Sequence, residues 1–317
     1  LEQRKLGKNG PAITTVGFGA WAAGGPWLNG WGPQDDNESI AAIRRSVELG
    51  MNWIDTAAIY GLGHSEEVVG QALEGLRREE VYIFTKCGRV PDAQGVPHSD
   101  LTPQGIRREL EASLRRLKVE TVDLYQFHWA DNETGTPIEE SWAVMAALQD
   151  EGKVRWAGVS NFDVPLLRAC EAIRHVDSLQ PPYSLLRREI EAEILPWCLE
   201  NGTGVIVYSP MQSGLLSGSF DLVRVAEDDV RRRNAFFQEP QLSKNLAFVD
   251  RLRPIAERHG KTVGQLAVAW TLMHPVVTAA IVGARRPSQV EENVSAMGWR
   301  LTDGEMQEIE SALTERG

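Results

Sequence analysis

Along the chain, short apolar runs alternate with longer stretches that are apolar on one helical face only. The apolar runs are residues 14–20, 51–54, 81–86, 122–129, 156–161, 178–184, 204–210 and 279–284. Between them, 37–49 places Ile40, Ile43 and Val47 on one helical face and stops at Gly50. Residues 66–78 do the same with Val69, Leu73 and Leu76. Thr102-Pro103 supplies a cap and a first-turn proline to a helix carrying Ile106, Leu110, Leu114 and Leu117. Further helices are predicted from Thr136-Pro137 to Gly152, over 164–173, 189–199, from Ser243, over 263–274, 287–297 and 303–313. Continuous apolar strands, each with a helix behind it, mean a parallel sheet covered by helices. Eight such units predict an α/β fold, a closed (β/α)8 TIM barrel with extra helices and a long loop after strand seven. No linker or low-complexity segment interrupts the pattern, so residues 1–317 read as a single domain. The least patterned stretches are 22–36, 88–101 and 211–242, and the last is long enough to predict a lid or binding loop.

Composition narrows the function classes. A net charge of −11 opposes nucleic acid as a partner, since phosphate binding wants a basic face. No apolar run reaches the roughly 20 residues of a membrane span, and the opening Leu-Glu-Gln-Arg-Lys lacks a signal-like apolar core. Cys87, Cys170 and Cys198 are too few and too widely spaced for a disulfide framework, and none has metal-ligand spacing. The expectation is a soluble cytoplasmic protein with no metal, no membrane and no nucleic-acid partner. A homo-oligomer is compatible with the sequence.

The chemistry collects at the C-terminal ends of the strands, the face on which barrels carry their sites. Strand two ends in Asp55, and its loop brings Tyr60; strand three ends in Lys86 and strand four in His128 and Trp129. Strand five ends in Ser160-Asn161, strand six in Gln180, strand seven in Tyr208-Ser209, and strand eight at Gly283, with Arg285 and Arg286 beyond. A phenol with a pKa of about 10 is a poor acid at neutral pH. A neighbouring ammonium is expected to lower that value, a carboxylate to hold the ammonium charged, and a neutral histidine to hydrogen-bond the same substrate oxygen. Such a group polarises and protonates a carbonyl without a metal or a nucleophile. Taken singly, Asp55 and Lys86 also fit a structural ion pair, and His128 and Tyr208 fit core packing. Their convergence on one face favours a site.

These motifs, in this order, resemble the aldo-keto reductase family over nearly the whole chain. They are Asp55-Thr56-Ala57-Ala58-Ile59-Tyr60-Gly61, Phe84-Thr85-Lys86, Asp123 to Trp129, Gly158 to Phe162, Tyr208-Ser209-Pro210, and Gly283-Ala284-Arg285-Arg286 leading to Glu292-Asn293. The resemblance implies a barrel that binds an extended nicotinamide dinucleotide and reduces small aldehydes or ketones. It places the proton donor on Tyr60, with Lys86, Asp55 and His128 as the other catalytic positions. It assigns the carboxamide contacts to Ser160, Asn161 and Gln180, and ring stacking to Tyr208. The pyrophosphate falls to the loop of Ser209, Pro210, Met211, Ser213, Gly214 and Leu215. Many relatives carry Lys-Ser where this chain has Gly283-Ala284; Arg285 and Arg286 are expected to replace that phosphate contact, which favours NADP(H). Gln289, Glu292 and Asn293 would face the adenine end.

Several features read differently. Gly17-Phe18-Gly19-Ala20-Trp21-Ala22 matches a dinucleotide fingerprint, but no helix opens behind it, so it reads as a turn at the barrel mouth. Trp21, Trp27 and Trp129 are expected to wall the substrate pocket. The run Arg231 to Arg233 reads as a solvated loop face and the cysteines as inert packing. Two other functions fit the same residues: Lys86 as a Schiff-base nucleophile, and, as the family resemblance implies, a cofactor-binding redox sensor like potassium-channel beta subunits. Borohydride trapping would separate the first. The second would call for a basic or apolar partner-binding extension, which is not expected here.

Overall fold

A computed structural model describes residues 1–227 and 229–317. Among them, eight parallel strands close into a barrel: β3 (Val16–Gly19), β4 (Trp53–Asp55), β5 (Tyr82–Cys87), β8 (Val122–Phe127), β9 (Val154–Ser160), β10 (Ser178–Gln180), β11 (Gly204–Val207) and β12 (Val277–Gly283). Each strand pairs with its chain neighbour, and β12 pairs back onto β3, Ala280 opposite Val16 through Gly283 opposite Gly19. Helices α1 (Asp36–Glu48), α2 (His64–Ala72), α3 (Pro103–Leu117), α4 (Ile138–Asp150), α5 (Val164–Glu171), α6 (Ile194–Asn201), α8 (Val263–Met273) and α9 (Pro287–Val294) follow the strands; α7 (Gln241–Glu257) and α10 (Asp303–Arg316) are additional. The (β/α)8 barrel expected from the alternation is the fold observed.

The starts of the helices follow local chemistry. Asp35, Thr102, Asp163, Thr262 and Thr302 each accept a first-turn backbone N–H, and the last two form full capping boxes with Gln265 and Glu305. The inner apolar layer holds Trp53, Phe84, Leu124, Ile206 and Ala279, all fully buried. Gly17 is required there: a Cβ would lie 2.1 Å from the Trp53 indole. The glycine therefore makes room for a core side chain, which explains the fingerprint-like spacing without a dinucleotide. Behind it stands one 3-10 turn, Trp21–Gly24.

Two hairpins fall outside the predicted elements. The first, β1 (Gln3–Lys5) with β2 (Ala12–Thr14), stoppers the floor of the barrel. Leu6 and Ile13 join the inner layer, Trp53 Nε1 donates to Thr14 O at 2.8 Å, and Trp156 Nε1 donates to Asn9 O at 3.1 Å. The second, β6 (Arg89–Pro91) with β7 (Pro97–Ser99), stands over the mouth within the supposedly unpatterned 88–101. Other differences are local. The helix predicted over 66–78 ends at Ala72, and that over 189–199 divides into a 3-10 turn, Glu189–Glu191, and α6. The strand predicted over 178–184 stops at Gln180, because Pro181 and Pro182 have no N–H to pair. The long loop after β11 is a chain of 3-10 turns packed on a cluster of Leu215, Phe237 and Leu242; Asp228, within it, lies outside the described residues.

Candidate active site

The C-terminal ends of the strands open into a cleft of about 420 Å³. Its base is an ion pair. Lys86 and Asp55 are 1% and 3% exposed, and the Lys86 ammonium donates to Asp55 Oδ1, to Thr56 O at 2.9 Å and to the Tyr60 hydroxyl at 3.4 Å. The three donors of the ammonium are thereby spent. The other Asp55 oxygen accepts from Gln180 Nε2 at 2.9 Å and from Gln126 Nε2 at 3.4 Å. Lys86 itself lies behind the cleft wall, whereas Asp55, Tyr60 and His128 line it.

Local backbone contacts fix this arrangement. After β4, the Thr56 and Ala58 N–H groups donate to Phe84 O and Lys86 O, at 2.9 and 3.2 Å, so the loop stays bonded to β5. The chain then bends through Gly61, whose φ is 60°, and presses on the loop after β3. A Cβ on Gly61 would sit 2.1 Å from Gly24 O. Only glycine permits that contact, and it locks the segment that carries Tyr60. His128 stands edge-on to the Tyr60 ring, centroids 5.6 Å apart.

Burial and charge set the protonation states. Burial pushes the Tyr60 phenol above its ordinary value, and Lys86 draws it back only in part. The sequence expectation that Lys86 lowers it towards neutrality is therefore corrected: desolvation outweighs the lysine. Lys86 is held above its usual value; burial opposes its charge, but Asp55 and Tyr60 more than offset that. His128 is pushed well below the usual histidine range by burial, then by Lys86 and Arg89, so it is neutral at physiological pH. At neutral pH the site thus holds a protonated phenol, a protonated ammonium and a neutral imidazole with one N–H to give. A lysine this firmly protonated is no Schiff-base nucleophile.

Across the cleft, Asn161 Nδ2 donates to His128 O at 3.0 Å, the Tyr208 hydroxyl donates to Asn161 Oδ1 at 2.8 Å, and Ser160 Oγ donates to Gln180 O at 2.7 Å. Ser209, Pro210, Met211, Ser213, Gly214 and Gly283 continue the same wall. Ser209, Gln212, Ser213 and Gly214 all have positive φ, the backbone state that builds concave N–H nests for anions. Trp21, Trp27 and Trp129 also line the cleft.

The structure separates the remaining predicted residues from this group. Leu215 is fully buried in the satellite cluster under the loop and meets no cleft. Arg285, Arg286, Gln289, Glu292 and Asn293 lie beyond the cleft, around the start of α9. Arg285 is laced to the loop after β3 through Gln34 Oε1 at 2.6 Å and through Pro33 O. Arg286 is exposed and donates to Ser288 Oγ at 3.2 Å. Gln289 Oε1 accepts from Arg285 N at 2.8 Å, Glu292 accepts from Thr262 Oγ1 at 2.9 Å, and Asn293 Nδ2 donates to Gly283 O at 3.2 Å. Sequence reasoning missed Gln126, Trp31 and Arg89. Gln126 announced itself as a polar residue inside an apolar strand. Arg89 stands three residues past Lys86, in a segment read as loop.

The Aldo/keto reductase family model matches residues 15–314. The chain belongs to the aldo/keto reductase family. An aldo-keto reductase of Bacillus subtilis is 36% identical over 317 residues, 99% of this chain and 94% of that protein. The NADH-specific methylglyoxal reductase of Escherichia coli is 37% identical over 327 residues, 99% of each chain. A solved glycerol dehydrogenase from Gluconobacter oxydans superposes with a TM-score of 0.89 at 37% identity, covering 99% of this chain and 95% of that one. This aldo/keto reductase is thus an oxidoreductase that uses a nicotinamide cofactor and acts on small carbonyl compounds. None of its described helices is long and apolar enough to cross a membrane.

Proposed function

We propose that the protein reduces an aldehyde or ketone to the alcohol with NADPH, and that Tyr60 is the proton donor. The observation that carries this is the buried Asp55–Lys86 pair whose ammonium reaches the Tyr60 hydroxyl at the base of the cleft. The wall of the cleft suits a nicotinamide dinucleotide. The half-buried Tyr208 lies beside Asn161 and Ser160, and the turn over 209–214, left-handed at Ser209, Gln212, Ser213 and Gly214, would receive a pyrophosphate. When bound, the reduced cofactor supplies the hydride for the carbonyl carbon. Tyr60 gives its proton to the carbonyl oxygen. Lys86 offsets the charge left on the phenolate, and Asp55, held by Gln180 and Gln126, keeps Lys86 aimed. The neutral His128 donates a hydrogen bond to the same oxygen and fixes which face of the carbonyl is presented.

Preference for the phosphorylated cofactor rests on Arg286, exposed beside Ser288 at the start of α9, with Arg285 behind it. The cleft draws on residues from Gly19 to Gly283, which supports reading 1–317 as one working unit. Three buried free thiols suit a reducing, cytoplasmic setting.

The test is cofactor oxidation with 4-nitrobenzaldehyde, comparing NADPH with NADH and wild type with Tyr60→Phe. Loss of the hydroxyl is expected to lower kcat by about 10²–10⁴-fold, the usual worth of a positioned acid, with cofactor binding retained. Full activity in the variant would refute the donor assignment. A wild-type preference for NADH, unmoved by Arg286→Ala, would refute the phosphate assignment.

A further inference from the structure

The inner part of the pocket explains how a carbonyl is held; the outer part bears on which carbonyl compounds are held. Among the described residues lining the cleft, Asp55 and Arg89 are the acidic and basic side chains. Asp55 is neutralised by Lys86. The cleft is therefore net positive inside a protein of net charge −11. Arg89 opens β6, and its guanidinium uses one edge to hold the hairpin, donating to Ser99 Oγ at 2.8 Å and to Pro97 O at 3.0 Å. A guanidinium has five donors, so most of the fork remains unspent. The nearest carboxylate, Glu133, stands 3.8 Å away and is already engaged, accepting from Ser99 N at 3.0 Å and lying 2.9 Å from His98 Nδ1. The same cleft is lined by the aromatic side chains of Trp21, Trp27 and Trp129, and Trp129 is 47% exposed.

We propose that Arg89 is a specificity-determining residue that selects carbonyl substrates bearing an anionic group, carboxylate or phosphate, on an apolar or aromatic body. The inference rests on the reading of the cleft as a carbonyl-reducing site. The carbonyl oxygen goes to Tyr60 and His128, the apolar body lies against the tryptophans, and the anion meets the free edge of Arg89. A fork in a half-enclosed, apolar-walled pocket binds such a group more tightly than it would in open water.

A matched pair of aldehydes tests this. 4-Carboxybenzaldehyde and 4-nitrobenzaldehyde have nearly the same shape and both withdraw electrons, but one is an anion. The wild type is expected to favour the carboxylate by about ten- to a hundredfold in kcat/KM, the worth of a charge-assisted contact, with the gain lying in KM. Arg89→Met is expected to abolish the preference and Arg89→Lys to retain part of it. A wild-type ratio near one, or a ratio unchanged in Arg89→Met, overturns the proposal. If Arg89 served the hairpin alone, both aldehydes would slow together and the ratio would stay fixed, which also counts against it. Glyceraldehyde 3-phosphate against glyceraldehyde repeats the comparison for phosphate, and the larger gain names the anion class. If neither cofactor supports turnover of 4-nitrobenzaldehyde, the functional reading fails, and the anion inference is judged by binding alone. Tryptophan quenching by 4-carboxybenzyl alcohol against benzyl alcohol then decides: tighter, Arg89-dependent binding of the acid supports it, and equal binding overturns it.

Discussion

Replacing Lys86 by methionine removes a charge but little volume. The Lys86 side chain is fully buried and that of Asp55 is 3% exposed. Lys86→Met would leave a buried carboxylate with only Gln180 at 2.9 Å and Gln126 at 3.4 Å to solvate it. Breaking a buried pair in this way costs about 3–5 kcal/mol, because the surviving charge is uncompensated. For 317 residues the unfolding entropy is about 0.7 kcal/mol/K, so the midpoint should fall by about 4–7 °C. Asp55→Asn alone strands the ammonium and should also destabilise. Asp55→Asn combined with Lys86→Met should be less destabilised than the sum of the two, by about 1–3 kcal/mol, since neither charge is left behind. Urea unfolding of the four proteins completes the cycle. A Lys86→Met protein within about 1 kcal/mol of wild type, or strictly additive losses, would refute the reasoning. Activity is expected to fall in all three variants, so stability and catalysis are read separately.

Other consequences are equally open to measurement. Reduction needs the Tyr60 phenol protonated and His128 neutral; the first pKa is raised above 10.0 and the second lowered below 6.5, so kcat/KM should be flat from about pH 6.5 to 10. A limb inside that window that Tyr60→Phe or His128→Gln removes would contradict this. Burial raises the Glu109 carboxyl from 4.5 to about 7, although it accepts Gly88 N–H at 2.9 Å. Because the folded state keeps this proton longer than the unfolded chain, wild-type stability falls as pH rises from 4.5 to 7. The displacement corresponds to about 3 kcal/mol, so Glu109→Gln should gain stability at pH 8 relative to pH 5; an equal effect at both pH values would refute it. Gly17→Ala sets a methyl 2.1 Å from the Trp53 indole and should cost about 1–3 kcal/mol as an overpacked core; denaturation matching wild type would show that the indole can yield.

The barrel was legible because the strands are mostly apolar runs separated by amphipathic helices, with polar residues gathered at their C-terminal ends. Asp55, Tyr60, Lys86 and His128 could be grouped from that polarity alone. The hairpins were not legible: Gln3–Lys5, Ala12–Thr14, Arg89–Pro91 and Pro97–Ser99 have three residues each, too short for a period to emerge. Leu215 sits next to cleft residues in sequence, yet it turns inward to Phe237 and Leu242, and adjacency gives no sign of which way a loop residue faces. The balance at Tyr60 was hidden for a different reason. The sequence names the charges around the phenol but not the water excluded from it, and there the missing water decides the sign.

The stoppered floor gives the barrel a property that concerns traffic. With Leu6 and Ile13 wedged among Trp53, Phe84 and Leu124, nothing passes through the axis, so the cleft is a cul-de-sac. Whatever is made at its inner end must back out through the doorway by which the next molecule arrives. Crowding that doorway with excess substrate should trap product inside, and inhibition by the protein's own substrate at high concentration is the kinetic signature of a room with one door.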